Sequence, residues 1–241
     1  MKKIFNVSNI RLFLILGLVV FLYSFSSNRN NNRKIRKTNI EFIGNQQLFV
    51  THETVNKLLI ENKEIVLDIK KVALDLNSLE NAINKHQLIK DSEVFVSIDG
   101  VLNAVVKQKT PVARYVKGFT SYYIDYDGDE MPLSEIHTAR VPLISGDIIN
   151  VSSDSFKKLL QHIYNDEFLK KNIIGVEILP SGGLVLKSRD FDYNIDFGKI
   201  YQIEEKFRNY KAFFHKAIQD KTLSNYKIIN LKFSQQVVCT K

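Results

Sequence analysis

The chain has 241 residues, with 34 Lys/Arg against 26 Asp/Glu and a formal net charge of +8. Residues 1–40 hold eight Lys/Arg and no Asp/Glu, so the remainder carries 26 basic and 26 acidic residues and is neutral. The excess flanks one N-terminal segment, as membrane-surface charge does, which argues against a phosphate-binding face and a nucleic-acid partner. The single Cys239 excludes an internal disulfide and a cysteine-based metal site, and reads as a small apolar strand residue.

The long apolar run is Leu12 to Phe25, LFLILGLVVFLYSF. Its 14 residues rise about 21 Å as a helix, short of the ~30 Å hydrocarbon core. A spanning helix must recruit Asn9 and Ile10 before it and Ser26 and Ser27 after it, with Arg11 snorkelling. A signal anchor over 12–27 is the favoured reading, held by Arg11, Leu12, Phe13, Leu16, Val19, Phe21, Tyr23 and Phe25. Two others compete with it. Ser24-Phe25-Ser26 passes as a small-x-small cleavage site, and a buried core helix suits the length. Apolar residues all round the helix and the basic flank count against burial. Three Lys/Arg lie in the arm 1–11 and five between 29 and 37, so charge alone does not orient the segment. A short leader before a large domain resembles a signal anchor with its N-terminus in the cytoplasm, and residues 28–37 read as a basic linker.

Beyond it, TNIEFIGN alternates around Ile40 and Phe42 like a strand entering a turn. Thr51 is a fair N-cap for a helix with Val55, Leu58 and Leu59 on one face. A looser stretch, 65–74, follows. Asn77 and Glu80 resemble a capping box for a helix bearing Leu79, Ala82 and Ile83. Val94, Val96 and Ile98 then alternate up to Asp99-Gly100, and VLNAVVK returns, a two-residue hairpin. This β-α-α-β-β order makes a compact unit over 38–110.

Thr110-Pro111 punctuates the chain. ARYVK and SYYIDY lead to a second Asp-Gly turn at Asp127-Gly128, and Val141 to Ile144 is a short strand. Ser153 caps a helix with Phe156, Leu159, Leu160 and Ile163 at helical spacing. GVEIL, Pro180-Ser-Gly-Gly183 and LVLKS form a third hairpin, and DYNIDF a further strand. Gly198 opens a long helix with Ile200, Ile203, Phe207, Tyr210, Phe214 and Ala217 along one stripe. Lys227 to Phe233 is a half-buried strand near the chain end, with Ile229, Leu231 and Phe233 on one side. The fold class is thus α+β, the second domain, 111–241, carrying an extended antiparallel sheet.

No constellation for a reaction emerges. His52, His86, His137, His162 and His215 show no i, i+4 pair, and no GxSxG or GxxxxGK[ST] occurs. The acidic run Asp125 to Glu130 lacks calcium-loop spacing and reads as a solvated turn. The remaining handle is the terminal strand, whose backbone would pair with a partner's strand if its edge is free; the residues alone favour an internal or blunted strand.

The order of these features resembles the FtsQ/DivIB family of bacterial cell-division proteins, nearer its FtsQ branch. IEFIGNQQLFVTHETV is similar to the family's opening strand-turn-helix, and LNSLENAINKHQLIKDSEVFVSIDGVLNAVVKQKTPVARY to its helix–hairpin–Pro-Ala-Arg passage. YYIDYDGDEMPLS, VPLISG, YNIDFG and YKIINLKF complete the series. Lys107, Gln108 and Lys109 stand where the family often carries an acidic residue. The resemblance implies a non-enzymatic inner-membrane scaffold at the division septum, with its bulk in the periplasm and no cofactor, metal or small-molecule substrate. It implies a polypeptide-transport-associated (POTRA) domain over 38–110 that meets other divisome proteins. It further implies that the last strand binds the FtsB/FtsL pair by strand addition. In this chain that strand maps to Ile229, Asn230, Leu231, Lys232 and Phe233, with Ser234, Gln235 and the residues up to Val237 as its extension and Lys232 and Phe233 supplying selectivity. The alternatives are a POTRA-bearing transport or envelope-assembly component, an exported enzyme with an unrecognised site, and a secreted soluble protein.

Overall fold

The computed structural model describes residues 7–44, 49–61, 74–233 and 235–241. They fall into two compact units, Met1–Gln108 and Lys109–Lys241.

The first unit begins with a helix, α1 (Val7–Asn31), of 25 residues. At 1.5 Å per residue it is about 37 Å long, enough to reach across a bilayer core. The apolar run alone was too short; the helix gains its length by continuing through the Ser/Asn segment. The stretch after it is more than a tether. Ile35 is buried, and the Arg36 backbone N–H donates to the Gly100 carbonyl at 3.0 Å.

Strand β1 (Lys37–Ile43) follows, then α2 (His52–Glu61) and α3 (Leu76–Asn84). Strands β2 (Ile89–Val96) and β3 (Val101–Gln108) close the unit. Among the described residues the sheet order is β1-β3-β2, with β1 parallel and β2 antiparallel to β3. Thr51 caps α2 as expected, its Oγ1 accepting from Thr54 N at 3.0 Å. The cap of α3 is Asp75, whose carboxylate accepts from Ser78 N at 3.1 Å. Asn77 lies inside that helix, and Glu80 instead accepts from Val94 N on β2. Val55, Leu59, Leu79 and Ile83 bury the helix faces, each by about 2 kcal/mol, while Ala82 is only half-buried. Gln108 ties the end of β3 to the chain before α2, its Oε1 accepting from Phe49 N and Val50 N. Asn45, where the opening turn was expected to end, and most of the looser stretch lie outside the described residues.

The second unit holds a nine-stranded sheet among its described residues. Its elements begin with β4 (Pro111–Lys117), β5 (Thr120–Asp125), β6 (Glu130–Met131) and β7 (Leu143–Gly146). Helices α4 (Ser153–Asn165) and α5 (Glu167–Asn172) precede β8 (Ile173–Ile178), β9 (Leu184–Ser188) and β10 (Asn194–Gly198). Helix α6 (Ile203–Gln219), β11 (Ile228–Asn230) and β12 (Val238–Thr240) end the chain. The order is β12-β11-β10-β9-β8-β7-β4-β5-β6. The sheet is mixed where an antiparallel one was expected, because β4–β7, β7–β8 and β10–β11 pair in parallel. Each parallel step needs a long return; helices α4 and α5 supply that of β7–β8 and α6 that of β10–β11, whereas β4–β7 returns through β5 and β6.

The three helices put their apolar stripes on one sheet face. Phe156, Leu159, Leu160, Ile163, Phe207, Tyr210 and Phe214 share a core with Ile144, Val176, Leu186, Ile195, Phe197 and Ile229. The cap position before α4 is Ser152 and its side chain makes no cap bond, so Ser153 is the first helical residue. The short α5 had no periodicity to announce it. Asp166 starts it by accepting from Phe168 N and Leu169 N and by pairing with Lys211 on α6.

All three anticipated hairpins share one connection, a three-residue loop, where the first two were expected on Asp-Gly turns and the third on Pro180 to Gly183. Ser97 N, Asp125 N and Leu179 N donate to the carbonyls of Val101, Asp129 and Gly183. The loop's last residue is Gly100 (φ 86), Gly128 (φ 87) or Gly182 (φ 75), each donating back to the residue before the loop. The left-handed conformation at that position is what glycine supplies. Ile98 therefore leaves the strand and is exposed in its loop.

The space around these glycines ranks their replacement. A Cβ on Gly182 would sit 2.7 Å from the Asn150 carbonyl, whereas one on Gly128 meets only the Lys157 stem at 3.2 Å. Gly128→Ala should cost about 1–2 kcal/mol from φ alone, and Gly182→Ala clearly more. Urea unfolding of the two variants checks the order.

Candidate partner-docking edge

Ile229, Asn230 and Leu231 were expected at an open edge, and the structure corrects this. On one side β11 pairs in parallel with β10, Ile229 opposite Ile195 and Asn230 opposite Asp196. On the other it pairs antiparallel with β12, Ile229 opposite Cys239 and Asn230 opposite Val238. Leu231 is buried, and its N–H donates to the Asp196 carbonyl at 2.9 Å. Ile229 and Asn230 are thus interior to the sheet, because the last residues of the chain return along β11, and Leu231 is buried just past its end. The signal that was missed is the run Val237-Val238-Cys239-Thr240, rich in β-branched residues.

The edge itself belongs to β12. Lys227 O accepts from Asn194 N and Leu231 N donates to Asp196 O, so odd-numbered residues of β11 turn their backbone to β10. Even-numbered ones turn to β12, which faces Val238 and Thr240 inward along the ladder. The alternation leaves the Cys239 N–H and C=O pointing away from β11, where no strand of the described residues pairs. The Cys239 side chain packs half-buried on the core, burial raising its thiol pKa, and Val238 and Thr240 face solvent.

Lys232, Phe233 and Gln235 belong to the connector between the two strands, and Ser234 lies outside the described residues. Lys232 is the corner, and it is fixed at four points. Its N–H donates to Asn230 Oδ1 at 2.9 Å, and its carbonyl accepts from the Tyr201 hydroxyl. Its ammonium pairs with Asp196 at 2.6 Å, and its stem crosses Gly198, where a Cβ would come within 2.7 Å of it. The charge expected to select a partner is therefore already spent on Asp196. Phe233, 52 % exposed, remains available beside the edge.

Beneath this corner sits Lys206, fully buried in the first turn of α6. Its Nζ donates to the carbonyls of Phe197 at 2.8 Å and Lys199 at 3.0 Å. It also lies 3.7 Å from the centre of the Tyr201 ring and 4.6 Å from that of Phe197. Desolvation lowers its pKa to about 8, with Asp196 opposing the shift.

The anchor residues share one helix and none is covered. Leu12, Phe13, Leu16, Val19, Phe21, Tyr23 and Phe25 are all at least half exposed and Arg11 is exposed too. The 22 residues Ile10–Asn31 are long and apolar enough to cross a membrane and bury none of that span, which disposes of the core-helix reading. Lys2 and Lys3 lie outside the described residues.

The histidines stay apart; His162 stacks on Phe207, and His215 lies against Phe168 and Phe214. Asp125 is buried, not solvated, its carboxylate accepting from Asp127 N and Asp129 N and pairing with Lys109. Among the described residues no group of three His, Cys, Asp or Glu could hold a metal ion.

No curated protein matches the chain. Residues 110–240 match the family model described as FtsQ/DivIB, C-terminal related. That span runs from the residue before β4 to the end of β12, and so takes in the whole nine-stranded sheet, its three helices and the β12 edge. It covers more than half of the sequence, and the chain belongs to the FtsQ/DivIB family.

Proposed function

We propose that this chain is a single-pass scaffold of the bacterial divisome whose strand β12 receives a strand from an FtsB/FtsL-type partner. Family membership suggests a cell-division role in a family of non-enzymatic division proteins. The observation that carries the docking mode is the unpaired outer ladder of β12, with Cys239 offering one donor and one acceptor. Phe233 beside it offers apolar selectivity. Residues 229–231 act from behind, by fixing the register of the strand that docks.

The remaining parts of the proposal follow the anchor and the resemblance. Helix α1 anchors the chain uncleaved in the inner membrane, N-terminus in the cytoplasm and bulk in the periplasm. Residues 38–110 serve as a POTRA domain that joins other divisome proteins at the septum. The β-α-α-β-β order and the β1-β3-β2 sheet support that assignment.

Two proline variants separate docking from folding. Cys239→Pro removes the outward N–H and should weaken pull-down of the FtsB/FtsL pair at least about tenfold while Tm stays near wild type. Leu231→Pro removes the N–H bonded to Asp196 O and should lower Tm itself by several degrees. Undiminished binding by a folded Cys239→Pro variant would sink the edge mechanism. For the cellular role, a fluorescent fusion to the N-terminus should form a band at mid-cell; a diffuse signal would contradict it.

A further inference from the structure

Lys206 is the one lysine fully buried among the described residues, and it stands where a lysine is least expected. The first turn of a helix is its positive end, which repels an ammonium, and burying a charge costs more than burying an apolar chain of similar volume. What the residue gains is reach. One ammonium bridges the Phe197 carbonyl, at the end of β10, to the Lys199 carbonyl in the loop beyond it. The same ammonium lies under the Tyr201 ring, whose hydroxyl holds the Lys232 carbonyl. A line of direct contacts thus runs from the α6 first turn to the corner where the chain leaves β11. Beyond that corner only three residue pairs join β12 to the sheet.

We infer that Lys206 is a positioning residue for the β12 edge: through Tyr201 it fixes the Lys232 corner and hence the register in which β12 is offered to a partner strand. This rests on the reading that β12 docks a partner. The Lys206 ammonium strengthens both carbonyl bonds and the contact with Tyr201, and each weakens when it loses its proton. The charged and titratable groups around it are Asp196 on β10, Lys232 paired with Asp196, and Lys199 and Tyr201 in the loop. Glu204 and Glu205 share its helical turn, and α4 brings His162, stacked on Phe207. A lysine whose pKa is lowered to about 8 when folded loses its proton just above neutral pH.

The test uses the full-length protein in lipid nanodiscs and compares wild type, Lys206→Met, Tyr201→Phe and the double variant by hydrogen exchange. Amides of 237–241 should exchange about tenfold faster than wild type in each single variant and to the same extent in the double variant, with β8, β9 and α6 unchanged. Binding of the purified FtsB/FtsL pair should weaken several-fold in wild type between about pH 7 and about pH 9.5 and stay flat in Lys206→Met. Unchanged β12 exchange in both single variants, or exchange raised evenly through the whole sheet, overturns the inference. If the wild type fails to bind the pair at all, the docking reading falls, and the exchange data still decide the role of Lys206 on their own.

Discussion

A backbone ladder that is full on both sides of β11 is the constraint on which the rest of the C-terminal unit depends. Strand β11 is only three residues long, yet it is paired with β10 and with β12. That double pairing makes β12 the edge strand at this end of the sheet, with β6 the edge strand at the other. It also makes Ile229 and Leu231 core residues, each buried under α6 and its neighbours. A partner strand can only add where a ladder is incomplete, so the saturated strand is structural and its neighbour is the surface to be read.

The edge is held from beneath. The short terminal strand is fixed by its few ladder bonds, by Val237 and Cys239 packing on the core, and by the corner that delivers it. Here the corner is fastened through backbone, side chain and ring at once, by Asn230, Asp196, Gly198 and Tyr201. The α6 helix contributes by placing Lys206 below that corner while Phe207, Tyr210 and Phe214 bind the same helix into the core. The corner before β12 and the hydrophobic core are thus joined by one helix, its stripe packed in the core and its first turn placed under the corner.

The element types were largely legible in the sequence because periodicity reports burial on one side of one element. The stripes of α2, α4 and α6 and the alternation of β2 and β3 all mark real buried faces. Three features were not legible for a common reason. Asp75 in place of Asn77 as a cap, α5 with its Asp166–Lys211 tie, and the three-residue hairpin loops each depend on a few local bonds and leave no periodic trace. The candidate site was half legible. Ile229 to Phe233 mark the strand next to the outermost one and its connector, but not the strand that borders solvent.

By itself the sequence determined an apolar N-terminal helix flanked by charge, two α+β regions meeting near residue 110, and a chain end rich in strand formers. Those properties follow from composition and spacing, which local segments carry with them. Which strand lies at the edge was decided only by tertiary structure. Pairing is a relation between segments distant in sequence, and a three-residue strand gains its place from its neighbours and not from its own propensity. Lys206 shows the same division: helical spacing from Ile203 and Tyr210 puts it on the inner stripe, but only the fold supplies the two carbonyls and the ring it meets.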